Sequence, residues 1–246
     1  PGPTLYEALV AIEDSEEGAP PPLSPAILQG PMPGLSVIGA SPELAGSEIE
    51  LASNERRNGL RQLLTPLKDD FSFIIVDTPP SLSLLTINSL VCADRLIIPV
   101  QCEYFALEGL GQLLRTLEKI RRFLNPTLSV MGLVRTMFDA RLSLSSEVSG
   151  ELERHFPQLL FRTMIPRNVR LAEAPSHGKP IAIHDKRSTG ADAYRRLGTE
   201  VMERSGKTLP LPGSSVALAA TARAEKAVAA QQPAAQAATP TTEQRN

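Results

Sequence analysis

Cysteine is scarce in this 246-residue sequence, with only Cys92 and Cys102. Two thiols cannot supply the disulfide framework of a small secreted domain. Both lie in apolar or strand-like stretches, which points to buried thiols in a reducing cytosol. Long apolar runs are missing too: no stretch approaches the roughly 18 residues that a membrane-spanning helix needs. The N-terminus has neither the basic nor the apolar region of a signal peptide. It begins with Pro1 rather than Met, as a processed or incomplete product would. The most uneven shortage is of positive charge. Residues 1–55 hold nine acids and no Lys or Arg, whereas 115–204 hold sixteen Lys/Arg against ten Asp/Glu, and 19 of the 25 basic residues are Arg. At a net charge of −2 the molecule is no polycation. Its basic half suggests a face for phosphate or nucleic acid, or else ordinary solvated helix faces.

An apolar share of 42% with 21% charged residues is the profile of a globular protein, and the length allows one or two domains with a full core. Three regions differ in character. Residues 1–34 contain eight prolines and read as a Pro-rich lead-in with one short helix near Leu5–Ile12. Residues 35–204 alternate regularly. Strands are predicted at 35–40, 71–77, 95–100, 128–136 and 160–165. Helical stretches are predicted from Pro42 to about Leu67 and at 84–93, 105–124, 143–156 and 190–204. In the clearest of these helices Leu110, Leu113, Leu114, Leu117, Ile120 and Leu124 recur at helical spacing. Continuous apolar strands alternating with amphipathic helices imply an α/β fold, a parallel sheet with helices on both faces. Ligands then belong at the carboxyl ends of the strands. Residues 205–246 form an Ala/Pro/Gln-rich tail, with twelve alanines and no aromatic between Ser214 and Asn246. It is expected to be disordered and lacks the large apolar residues of an amphipathic membrane anchor.

The strongest local signal is IIVDTPPS at Ile74–Ser81. An apolar strand ending in Asp has the form of a Walker B element, whose carboxylate holds Mg²⁺ directly or through water. A strand ending in a capping Asp before a Pro-rich turn fits the same residues. Four further stretches follow in order: LIIPVQCEYFALEGLGQLL, TMFDARLSLSSEV, IPRNVRLAEAPSHGKPI and DKRSTGADAYRRL. Together with VDTPPSLSLLTINSL they strongly resemble the ParA/Soj family of chromosome- and plasmid-partitioning ATPases, within the deviant-Walker, MinD-like group of P-loop NTPases. The resemblance runs from about Thr4 to Met202.

That resemblance implies roles by position. Asp77 matches the Walker B Asp supporting Mg²⁺, through water. Thr78, Pro79 and Pro80 match the switch segment after it, and Pro166, Arg167 and Asn168 match the loop lying against adenine. Gln101–Leu107 looks like the region shaping the dimer and nucleotide edge, or a plain helix start. Arg141 and Arg170 match the family's DNA-contacting arginines. Guanidinium forks suit phosphate, and backbone contacts carry no sequence information. Arg135, Arg167, Lys179, Lys186, Arg187, Arg195 and Arg196 share the basic region, though any one alone reads as a surface charge. The family implies ATP and Mg²⁺ as cofactors, an ATP-bound homodimer binding DNA non-specifically, regulation by a ParB-like centromere-binding protein, and a cytoplasmic, nucleoid-associated place with no membrane contact.

Two family elements are absent. No G-x-x-x-x-G-K-[ST] stretch occurs to cradle phosphates. Gly206-Lys207-Thr208 is a decoy, because Val201 stands where the first glycine belongs and the tripeptide follows a predicted helix. The Asp-x-Asp-Pro-Gln element is missing as well. The comparison places the family's catalytic Lys and Asp upstream of Pro1, so the first βαβ unit is expected to be lacking, no catalytic residue is expected in this chain, and tight ATP binding or hydrolysis is not expected. The alternative reading is a natural, non-catalytic paralogue that binds DNA or regulates. His155, His177 and His184 are scattered without metal-ligand spacing.

Overall fold

A computed structural model describes residues 3–12, 23–46 and 58–206. They fall into two compact units that divide between Ile75 and Val76. The expected tail beyond residue 206, and the middle of the helical stretch predicted from Pro42 to Leu67, lie outside the described residues.

The first unit begins with α1 (Leu5–Val10). Glu7 accepts bonds from the Thr4 hydroxyl and, at 2.7 Å, from the Thr4 backbone N–H, which close the helix start; the hydroxyl bond first, then the backbone bonds, lower the Glu7 pKa. A short antiparallel hairpin follows, β1 (Ile27–Gln29) against β2 (Ser36–Ile38), with Leu28 opposite Val37. β1 falls where Pro spacing had suggested only loop. Three residues are too few for a periodic signal, and partner β2 is what settles them. Helices α2 (Pro42–Gly46) and α3 (Gly59–Leu64) complete the unit. Leu9, Leu23, Ile27, Leu44, Leu60, Leu63 and Leu67 are buried.

The predicted strand at 71–77 is not formed. Residues 74–79 join no ladder among the described residues, and Ile75 is 89% exposed. An apolar stretch becomes a strand only when a neighbouring strand takes its N–H and C=O groups in a ladder, and none forms here among the described residues.

The second unit is α/β. Helix α4 (Leu84–Cys92) is capped by Ser83, whose hydroxyl accepts from the Thr86 N–H. Its C-terminal carbonyls are satisfied from outside. The amide of Asn125, which is fully buried, donates to Leu90 O at 2.9 Å and Ala93 O at 2.8 Å. Strands β3 (Arg95–Gln101) and β4 (Ser129–Thr136) pair in parallel from Arg95↔Ser129 to Gln101↔Thr136. Between them run the crossover helix α5 (Ala106–Phe123) and a turn. The register slips by one at Met131, a bulge on β4. After β4 come α6 (Ser143–His155), α7 (Val169–Glu173), α8 (Ile181–His184) and α9 (Thr189–Ser205). Gly206 ends α9 in the left-handed region at φ 67°, so the Gly-Lys-Thr does follow a helix.

Both faces of β4 are covered. Leu133 packs with Ile98, Val100, Leu110, Leu117 and Leu152 on one side, while Val134 packs with Phe161, Ile165 and Ala193 on the other. This explains why β4 carries no polar side chain from Val130 to Val134 rather than alternating.

The strand predicted at 160–165 survives only as two parallel bridges, Leu160 to Leu133 of β4 and Pro166 to Phe138 just beyond it. Between them the N–H groups of Arg162 and Thr163 turn away to the Glu200 carboxylate of α9, at 2.8 and 3.1 Å. Burial opposes ionisation of Glu200, but those bonds and the Arg204 charge outweigh it and hold its pKa below the usual value. Arg204 completes the join by donating to Met131 O, Leu159 O and Leu160 O while its guanidinium lies 4.0 Å over the Phe161 ring. Gly132 makes room for this packing. A Cβ there would meet Phe161, Arg204 and the Leu159 carbonyl at 2.5–2.7 Å. Gly132→Ala is therefore expected to destabilise the fold by about 1–3 kcal/mol through overpacking. A lower midpoint in denaturant unfolding measures this, and an unchanged midpoint contradicts the packing.

Candidate nucleic-acid interface

Arg141, the first candidate DNA contact, stands on the loop that leaves β4. Met137 adopts φ 54°, the one non-glycine residue with positive φ among the described residues. The chain turns sharply there, and Phe138 bonds back to the 165–167 segment: its N–H donates to Ile165 O at 3.1 Å and its carbonyl accepts from Arg167 N at 2.9 Å. Asp139 then holds Arg141 at three points. Its Oδ1 accepts from the Arg141 backbone N–H at 3.1 Å and from Nε at 2.9 Å, and its Oδ2 accepts from Nη2 at 2.7 Å. These bonds hold the Asp139 carboxyl down at about 2. The Arg141 side chain is 87% exposed over this anchor.

Arg170, the second candidate, sits on α7. Asn168 caps that helix by accepting from Arg170 N at 2.9 Å and Leu171 N at 3.2 Å, and its amide donates to Thr189 Oγ1 at 2.8 Å. Gly190 lets α9 approach α7, since a Cβ would meet the Leu171 side chain at 2.6 Å. The Arg170 guanidinium pairs with Glu173 at 2.8 Å and with Asp185 at 3.6 Å. Of the remaining basic residues, Arg195 and Arg196 share Asp192 at 3.2 and 3.0 Å on the exposed face of α9.

Arg135 is not part of this surface, contrary to its grouping by sequence. It is 5% exposed and points under α6, donating to Ser149 Oγ at 2.8 Å and to Glu153 and Phe161 O. Its burial was not legible because a lone Arg in an apolar strand gives no periodic clue. Sequence reasoning also missed the pairing of His177 with His184, whose rings stack at 4.7 Å across the α7–α8 turn. No group of three metal-ligating side chains forms among the described residues.

The candidate nucleotide residues divide. Pro166 bridges Phe138, Arg167 pairs with Glu103 at 3.4 Å, and Asn168 is the α7 cap, so this loop is continuous with the Arg141 loop. Asp77, Thr78, Pro79 and Pro80 are exposed on the segment that forms no ladder, and no hydrogen bond or ion pair joins Asp77 to the 166–168 loop. Beside Arg167 lies a cavity of about 680 Å³ at the carboxyl ends of β3 and β4, lined by Gln101–Ala106, Met137, Leu142 and Ser145 among others. Ser145 Oγ donates to Cys102 O at 3.3 Å, fixing the start of α6 to the end of β3. Both thiols are buried, and burial raises the Cys102 pKa against a small opposing effect of Arg135. Tyr104 and Phe105 stack edge-on at 5.2 Å and are mostly exposed.

The parallel pair covered on both faces, with the candidate loops at the carboxyl ends of the strands, defines an α/β fold of the P-loop NTPase type. Comparison with known proteins agrees. The AAA domain family profile matches residues 5–130. The chain is 43% identical over 208 residues to the chromosome partitioning protein ParA of Myxococcus xanthus, covering 84% of this chain and 71% of that one. It is 50% identical over 168 residues to the sporulation initiation inhibitor protein Soj of Bacillus subtilis, covering 68% and 66%. Among solved structures, cobyrinic acid a,c-diamide synthase from Mycobacterium smegmatis superimposes with a TM-score of 0.64 at 30% identity, over 85% of this chain and 76% of that one. The cell division ATPase MinD of Pyrococcus furiosus reaches 0.63 at 19% identity over 82% and 76%, a likeness of fold alone. The chain belongs to the ParA/Soj family of partitioning ATPases. No helix among the described residues is long and apolar enough to cross a membrane.

The Asp139 clamp has a pH signature. A depressed carboxyl pKa contributes stability that is full above the ordinary carboxylate range and is lost as pH falls through the folded value. The Asp139 carboxyl signal in a carbon-detected NMR titration is expected to move with a midpoint at about 2. A midpoint in the range of a free Asp, about 3.9, would show that the clamp does not form.

Proposed function

We propose that this chain binds duplex DNA without sequence preference through Arg141 and Arg170, as the DNA-engaging part of a ParA-type partitioning system. The observation that carries the reading is the Arg141 fork, 87% exposed at the end of β4 and anchored on one edge only. Its other edge, Nη1, has no bond among the described residues and suits a phosphate oxygen. Arg170 adds a second positive side chain from α7, and contacts of guanidinium groups to phosphate carry no sequence information.

The family context adds an ATP-dependent homodimer, a ParB-like partner and a place on the nucleoid. For MgATP the residues present supply only part of what the cofactor demands. The 166–168 loop can flank a base and Asp77 can hold a magnesium-bound water. A triphosphate also needs a glycine-rich cradle with its Lys, and these 246 residues contain no such motif. They do not fit the whole cofactor and give no hydrolytic step. Among the relatives, the Mycobacterium smegmatis synthase has been solved with bound ADP and magnesium.

In the full-length protein with MgATP, R141A combined with R170A is expected to weaken duplex DNA binding roughly 100-fold, about tenfold for each charge-assisted contact. Nucleotide binding should survive. Fluorescence anisotropy with random-sequence duplex reads the first and a labelled nucleotide the second. DNA affinity equal to wild type would overturn the assignment.

A further inference from the structure

We propose that Asp139 is a positioning residue for DNA binding: its carboxylate fixes the Arg141 guanidinium in the orientation that receives a phosphate. The inference rests on the DNA-binding reading of Arg141 above and adds a residue whose charge alone would argue against it.

Four observations converge on Asp139. Its two oxygens take the backbone N–H, Nε and Nη2 of Arg141, closing a ring of three bonds between residues two apart. The Asp139 side chain is only 10% exposed whereas that of Arg141 is 87% exposed, so the acid lies beneath the base and away from any ligand that the base meets. The loop is held from behind as well, because Phe138 exchanges main-chain bonds with both Ile165 and Arg167. The strained Met137, at φ 54°, sets the direction in which the loop leaves β4. A left-handed backbone at a long side chain is uncommon and persists where its surroundings dictate it.

The consequence is a guanidinium with a fixed and a free edge. A free Arg carries considerable rotamer entropy. An Arg already locked in one rotamer loses less of it when it meets a phosphate. Asp139 faces Arg141 directly, and Arg167 is the other charged group acting on it.

Removing an acid beside a phosphate-binding site should, on charge alone, tighten DNA binding. Positioning requires the reverse. In the full-length protein with MgATP and random-sequence duplex, D139A is expected to weaken binding about fivefold, the scale of ordering one long side chain. D139N keeps one acceptor oxygen and is expected to recover part of that loss. In an R141A background D139A should weaken binding no further, because its effect runs through Arg141. Circular dichroism and melting temperature monitor folding of each variant. Tighter or unchanged binding by D139A, or an equal loss in the R141A background, overturns the positioning role. If R141A itself leaves DNA affinity intact, the DNA-binding reading fails first, and the cycle shows which of the two has fallen.

Discussion

The parallel ladder between β3 and β4 is the constraint from which the second unit is built. Its register from Arg95↔Ser129 to Gln101↔Thr136 brings the ends of both strands to one level. Gln101–Ala106, Met137–Arg141 and the start of α6 all leave from that level, and the Phe138–Pro166 bridge adds the 166–168 loop. Parallel pairing demands a long crossover, here supplied by α5, and places helices over the sheet. The loops that carry Arg141 and residues 166–168 thus share one edge with the end of β3.

Electrostatics sorts the arginines into two kinds. Arg135 and Arg204 are inward and structural. Each ties a strand to a helix by giving its N–H groups to carbonyls, hydroxyls and carboxylates that regular pairing leaves open. Glu200 works from the other side, substituting a carboxylate for the missing strand partners of Arg162 and Thr163. Such polar joins are costly if half-satisfied. Arg141 and Arg170 are outward, each held by local acids with much of the guanidinium in water. A high local charge alone therefore says little about which arginines meet a ligand.

Much of the second unit was legible in the sequence. The spacing of Leu110, Leu117 and Ile120 marks α5 to within a residue at each end, and the apolar runs of β3 and β4 are strands as expected. The five motifs in order from VDTPPSLSLLTINSL to DKRSTGADAYRRL were enough to reach the family. The misses share a cause. Ile74–Asp77 and Leu160–Ile165 have the composition of strands, but a strand is a property of two segments. The first joins no ladder among the described residues, and the second bonds to β4 only near its ends while the N–H groups of Arg162 and Thr163 go to Glu200, 38 residues from Arg162 in the chain. The burial of Arg135 and the bond set of Asp139 are tertiary facts with no periodic trace.

The central claim is that Arg141 and Arg170 form one phosphate-facing surface whereas Arg135 belongs to the core. Arginine footprinting with phenylglyoxal, read by mass spectrometry on the protein with and without duplex DNA, addresses it directly. The account predicts that Arg141 and Arg170 are modified in the free protein and protected by duplex DNA, with Arg135 unmodified in both states. Equal modification of Arg141 and Arg170 with and without DNA, under conditions where DNA is bound, would contradict it.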